Sequence, residues 1–298
     1  MKRIMHMLLA MLAVGFTGGC ANDAQQTDID RSQEQLANLQ YPILLVDGLA
    51  RRGDVGALAT FDTALDHLQD LGAAVFMNSR DAFGSIESNA ELLARDVDRV
   101  LQETGAEKLH IIAHSKGGLD SRYLISNLGY HDRIATLVTI ATPHRGTAVA
   151  DYIEDNLGEA EEVVARAVNW FAGLLGDVTP DAESAAHQLT TSYMQQFNRD
   201  VVNQPEVRYI SYAAVIDSSY PNPIWARMAR QLGETEGPND GLVSVRSARW
   251  GEFRGVVNEL YGVEQVSHRD VVGMNDIWNN MGFPHLRFIT DVVLELER

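Results

Sequence analysis

Cysteine is almost absent: Cys20 is the only one in 298 residues, so no intrachain disulfide can form. Basic residues are also scarce, with 24 Lys and Arg against 41 Asp and Glu and a formal charge of −17. That balance argues against nucleic acid as a partner and against adsorption to an anionic lipid surface. No long hydrophobic run is present, and the apolar stretch from Ile4 to Phe16 is too short to span a bilayer. Internal repeats, low-complexity tracts and a linker in the middle of the chain are missing as well. What remains is an ordinary globular composition, long enough for one large α/β domain or two small ones.

The N-terminus has a basic start (MKR), the short apolar core and small residues before Cys20, which together read as an export signal. Its end, FTGGC, resembles the bacterial lipoprotein signal, with Thr17 where leucine is commoner. The expectation is a signal over residues 1–19 and a lipid on Cys20, with Ala21 in place of aspartate pointing to the outer membrane. Several acyl chains give stable anchoring where one does not. Residues 20–40 are polar and lack an apolar face, so they read as a flexible tether, and the folded domain is expected over 41–298.

From Tyr41 onward, strand-like and helix-like segments alternate. YPILLV, GAAVFMN, LHIIAH, IATLVTIA and VRYISYAAVI have strand character. GALATFDTALDHLQDL and NAELLARDVDRVL have helical spacing, the latter with Ser88 and Glu91 in capping-box positions. Such alternation implies a mostly parallel central sheet flanked by helices, with chemistry at the carboxyl ends of the strands. Between about 147 and 199 the series breaks into helix formers. The segment NWFAGLLG there carries Trp170, Phe171, Leu174 and Leu175, a helical insertion that is either static packing or a lid-like cover over a site.

The pentapeptide AHSKG, residues 113–117, ends a strand and opens a helix, the context of the nucleophile elbow G-x-S-x-G with Ala113 at the first glycine position. Small residues are required there because strand and helix backbones approach closely. Ser115 attacks an ester only if a base takes its proton and a third group orients that base. The elbow predicts the chain order serine, acid, histidine. Asp240, in the tight turn GPNDGLV before an apolar segment read as a strand, is the acid candidate. His131, His144 and His187 precede it, which leaves His268 and His285. His285 follows Pro284 in the first turn of an amphipathic C-terminal helix and reads as surface; His268, in EQVSHRD, is the expected base.

The blocks YPILLVDGLA, LHIIAHSKGGLDSRYL, LVTIATPHRGTAVADYI, LTTSYMQQFNRD, NDGLVSVRSARWG and SHRDVV, in that order, resemble the bacterial true lipases of the Pseudomonas and Burkholderia type. The resemblance implies an α/β-hydrolase fold, with Ser115 as nucleophile, Asp240 as orienting acid and His268 as base. It implies an oxyanion hole built from the backbone N–H groups of Leu49 and Lys116, each such donor worth a few kcal/mol. The chain departs from the family in three places. Asp47-Gly48 stands where the family has His-Gly, Arg246 falls where one cysteine of the family's disulfide would be, and Met274 replaces a later oxygen donor of a structural calcium site. Asp270 matches one calcium ligand, but a hard cation prefers several oxygens. The chemistry itself needs no cofactor.

These residues lead to a serine ester hydrolase, a lipase cleaving acylglycerols through an acyl-enzyme, with a lipid or ester substrate and a membrane reached through the N-terminal anchor. Two other readings stand beside it: a short-chain carboxylesterase or acyltransferase, and an inactive hydrolase-fold binding lipoprotein. Dependence on a lipase chaperone is left open by the residues.

Overall fold

A computed structural model describes residues 34–48, 61–79, 84–155, 186–274 and 282–296. Six strands form one sheet: β1 (Ile43–Val46), β2 (Val75–Met77), β3 (Leu109–His114), β4 (Ile134–Ile140), β5 (Arg208–Ala213) and β6 (Glu252–Val256). Their order is β2-β1-β3-β4-β5-β6, and every registered pair is parallel. Parallel neighbours need crossovers. These contain α1 (Asp62–Asp70), α2 (Ile86–Thr104), α3 (Gly117–Ser126), α4 (Ala148–Asp155), α5 (Thr191–Asp200), α6 (Pro223–Glu236) and α7 (Val245–Ala248), while α8 (Val257–Tyr261) and α9 (His285–Glu295) follow the last strand.

The central strands explain why the sequence reads as unbroken aliphatic runs. All four residues of β1 and all six of β3 are buried, so both faces must be apolar. Alternation then assigns the faces. Ile43, Leu45 and Ile112 join one core with Phe61, Leu68 and Phe288, while Leu44, Val46, Ile111 and Ala113 join another with Leu93, Val97 and Leu124. Val46 pairs with Ala113 and Ala113 with Thr139, which brings the carboxyl ends of β1, β3 and β4 to a common edge.

Several boundaries differ from the sequence reading. Helix α2 starts at Ile86, earlier than the Ser88 cap implied, because Ser85 is the N-cap and its Oγ accepts from the Ser88 N–H at 3.1 Å. Ser88 therefore sits inside the first turn and Glu91 takes no part in a cap. The apolar segment after Asp240 is not a strand; it is a turn leading into the short helix α7, capped by Ser244 accepting from Ser247. Strand β6, with its charged residues Glu252 and Arg254, was not expected at all. The tether expected over 20–40 does not reach residue 40, since Leu36 is 1% exposed and packed in the core beside Ile43 and Phe61. Of the insertion at 147–199, α4 and α5 are described. Cys20, Leu49 and the apolar residues Trp170, Phe171, Leu174 and Leu175 lie outside the described residues.

Candidate active site

The joint between β3 and α3 carries Ser115 at the carboxyl edge of the sheet. Its φ is 52°, and it is one of three non-glycine residues with positive φ among the described residues. This conformation costs roughly 1–3 kcal/mol and persists only where the surroundings impose it. Here they do so by contact. A Cβ on Gly48 would lie 2.5 Å from Ser115 Cβ and 2.9 Å from the His114 carbonyl oxygen, while one on Gly117 would strike the Asp47 carbonyl. The chain leaving β1 and the elbow are interlocked, and only glycine allows the approach.

Three side chains meet at the elbow. His268 Nε2 is 2.9 Å from Ser115 Oγ, and His268 Nδ1 is 2.8 Å from Asp240 Oδ2. The other carboxylate oxygen of Asp240 accepts the backbone N–H groups of Leu242 (2.9 Å) and Val243 (2.7 Å), which fixes the acid in its turn. His268 is positioned from two further sides: its N–H donates to the Asp240 carbonyl at 3.0 Å, and its carbonyl accepts His114 Nε2 at 2.9 Å. The His114 ring lies 4.6 Å from the His268 ring and 6.5 Å from that of Phe61. Ser115, Asp240 and His268 are 7%, 1% and 3% exposed. A hydroxyl, an imidazole and a carboxylate in this line can pass a proton from oxygen to ring nitrogen while the carboxylate holds the ring's orientation.

Lys116 stands at the N-terminal end of α3, where first-turn N–H groups have no helical acceptor and face developing negative charge favourably. Its side chain is turned inward, 1% exposed, with Nζ 2.7 Å from Asp120 Oδ1. Asp47 is buried at the end of β1, and its N–H donates to Asn78 Oδ1 at 3.2 Å.

Three other histidines, His144, His187 and His285, are engaged elsewhere. His144 is fully enclosed: its ring bonds Thr139 Oγ1 at 3.0 Å, lies 3.3 Å from Arg122 Nη1 and stacks on Trp250. Burial first, and the Arg122 charge second, hold it well below the ordinary imidazole pKa, so it accepts from the guanidinium as a neutral ring. His187 pairs with Glu154. His285 is not the surface residue its position suggested: it is half-buried against Gly273, reaches Thr63 Oγ1 at 3.2 Å, and burial lowers its pKa.

Asp270, the residue matched to a calcium ligand, is met by hydrogen-bond donors. Its Oδ2 accepts the Tyr220 hydroxyl at 2.8 Å and the Ser267 N–H at 2.9 Å. No group of three His, Cys, Asp or Glu side chains able to hold a metal occurs among the described residues. A phenol and an amide proton directed at one carboxylate do not suit calcium, which needs several oxygens turned toward it.

The family described as alpha/beta hydrolase fold matches residues 41–216. The chain belongs to this family. The match includes the elbow and stops before Asp240 and His268, whose place beside Ser115 in this α/β hydrolase rests on geometry alone. The chain is 35% identical over 219 residues to Triacylglycerol lipase 2 of Saccharomyces cerevisiae, covering 72% of this chain and 60% of that one. It is 34% identical over 176 residues to a triacylglycerol lipase of Burkholderia plantarii, covering 55% and 49%. It thus spans about half to three fifths of the length of these relatives. Among solved structures, the mature-form lipase of Bacillus licheniformis superposes with a TM-score of 0.63 at 20% identity, covering 85% of this chain and 91% of that one, a likeness of fold.

Two contributors to the site were not read from the sequence. His114 was visible only as the residue before Ser115, and Tyr220 lies 50 residues from the carboxylate it touches.

Proposed function

We propose that this α/β hydrolase is a serine ester hydrolase of lipase type, cleaving acylglycerol esters through an acyl-enzyme. The observation that carries the reading is the continuous contact from Ser115 Oγ through the His268 ring to Asp240, at 2.9 and 2.8 Å. In this mechanism His268 Nε2 takes the Ser115 proton as Oγ attacks the ester carbonyl carbon. The negative charge on the carbonyl oxygen is met by the N–H of Lys116 and, by family resemblance, by that of Leu49. Collapse breaks the bond to the alcohol oxygen, which takes the proton from the imidazolium. Water then gives its proton to His268 and attacks the acyl-enzyme, and collapse of that intermediate releases the carboxylic acid and returns the proton to Ser115. Each step is a proton transfer or an acyl transfer, so no redox group is involved.

The acylglycerol preference draws on the names of the relatives and on the apolar segment with Trp170, Phe171, Leu174 and Leu175, proposed as a cover over the elbow that exchanges contact with the protein for contact with lipid. Burial of each such side chain is worth roughly 1.5–3 kcal/mol, enough for an interface to shift an opening equilibrium. The lipid anchor at Cys20 and an outer-membrane location follow from FTGGC and Ala21; fed palmitate should label the wild-type protein and not Cys20→Ser. The enzyme reading is tested by turnover on p-nitrophenyl esters of increasing chain length and on emulsified triacylglycerol. Rising activity toward long chains supports a lipase. Activity confined to short soluble esters makes it a carboxylesterase, and no turnover of any ester removes the reading.

A further inference from the structure

The turn that carries His268 is closed by a ring of buried hydrogen bonds that no step above uses. Tyr220 Oη reaches Asp270 Oδ2 at 2.8 Å and Ser267 Oγ at 3.3 Å. The Ser267 N–H donates to the same Asp270 oxygen at 2.9 Å, and the Asp270 N–H donates back to Ser267 Oγ at 3.2 Å. All three residues are buried, and His268 lies between Ser267 and Asp270 in the chain, so the ring encloses the base's own backbone. The other oxygen of Asp270, Oδ1, is buried and has no hydrogen-bond partner among the described residues. The carboxylate is therefore held through Oδ2 alone, by one phenol and one amide. Tyr220 is itself fixed, its N–H donating to Asp217 and its ring packed in the core with Trp225 and Leu242.

We propose that Tyr220 and Asp270 are positioning residues that hold the His268 turn in register with Ser115, and that this hydrogen-bonded brace does so without a divalent cation. The proposal rests on His268 acting as the base. A carboxylate whose second oxygen already lacks a partner cannot lose the phenol cheaply, because the remaining N–H leaves most of its acceptor capacity buried and unmet. The turn then relaxes, and the imidazole nitrogen moves off its 2.9 Å contact with the hydroxyl. Misplacement of a reacting group by about 1 Å costs up to about a hundredfold in rate. The brace acts on the base and not on a binding group, so the loss is expected in kcat.

The test uses the full chain and a soluble butyrate ester. Tyr220→Phe removes only the hydroxyl and should lower kcat at least about tenfold with KM unchanged, and should shift the acid limb of the kcat/KM pH profile that reports the base. Wild-type turnover should be the same in excess chelator and in millimolar calcium. The proposal is overturned if Tyr220→Phe keeps wild-type kcat and pH profile while only its melting temperature falls, or if chelator inactivates the wild type and calcium restores it. Should Tyr220→Phe fail to fold, Asp270→Asn carries the same kcat and pH-profile comparison, and the chelator comparison on the wild type decides the cation clause alone. A wild type that turns over no ester, and whose Ser115 does not react with a fluorophosphonate, is a failure of the enzyme reading and is distinct from these outcomes.

Discussion

Ser115 and His268 are held at one 2.9 Å contact by two different means. The serine is held by exclusion: its φ of 52° is enforced because Gly48, Gly117 and the strand ends leave no room for another backbone path. The histidine is held by attraction, through bonds to Asp240, His114 and the ring around Asp270. Steric holding is all-or-none and is set where the chain after β1, at Asp47 and Gly48, is pressed against the elbow, whereas hydrogen-bond holding is graded and is shared among several partners, one of them 154 positions away in the chain. The two halves should therefore fail differently. Adding an atom should break the elbow, and removing one should loosen the histidine.

The largest effect is expected at the junction of the histidine with its acid. Asp240→Asn keeps the shape of the turn but presents an amide to His268 Nδ1, favouring the wrong tautomer, and kcat should fall on the order of a thousandfold or more with little change in melting temperature. A loss under tenfold would mean that the acid does not orient the base. Gly48→Ala attacks the other half. The added methyl must displace Ser115 or the His114 carbonyl, so kcat should fall on the order of a hundredfold and stability by about 1–3 kcal/mol, the cost typical of overpacking. If Gly48→Ala left both intact, the steric account of the elbow would fail.

A smaller effect concerns β3, the strand that carries the elbow. His110 is buried in it with neither ring nitrogen hydrogen-bonded among the described residues, and burial lowers its pKa from 6.5 to about 4. Below about pH 6.5 the unfolded chain takes up a proton that the folded chain refuses until about pH 4, so stability falls as pH drops through that window. The loss amounts to roughly 3 kcal/mol at its lower end, and His144 and His285, also lowered by burial, act in the same direction. His110→Phe should flatten the decline of melting temperature between pH 7 and 4.5; an unchanged slope would assign the acid lability to other groups.

The same contrast explains what could be read from the sequence. Ala113, Ser115, Gly117 and Gly118 mark the elbow because a steric constraint is met by residue type at fixed positions. Asp240 and His268 were reached through the chain order that the elbow demands. The cap of α2 was misplaced because two serines, Ser85 and Ser88, stand three residues apart and both take part in the cap, one as acceptor and one as the amide it accepts. Strand β6 was missed because it is a largely exposed edge whose Glu252 and Arg254 are engaged in ion pairs with Arg208 and Glu295, leaving no apolar alternation. The apolar LVSV after Asp240 looked like a strand, yet the N–H groups of Leu242 and Val243 are spent on the Asp240 carboxylate and that of Val245 on the Pro238 carbonyl. Tyr220 left no local signal, since its partner lies across the fold.

In the proposed mechanism Ser115 is made nucleophilic by His268 and Asp240. Its most direct test is the reaction of the intact protein with a fluorophosphonate ester, followed by mass spectrometry of the labelled peptide. Stoichiometric labelling is expected at Ser115, none in Ser115→Ala, and labelling slowed by orders of magnitude in His268→Ala. A wild-type protein left unlabelled, or labelled at another residue, would contradict it.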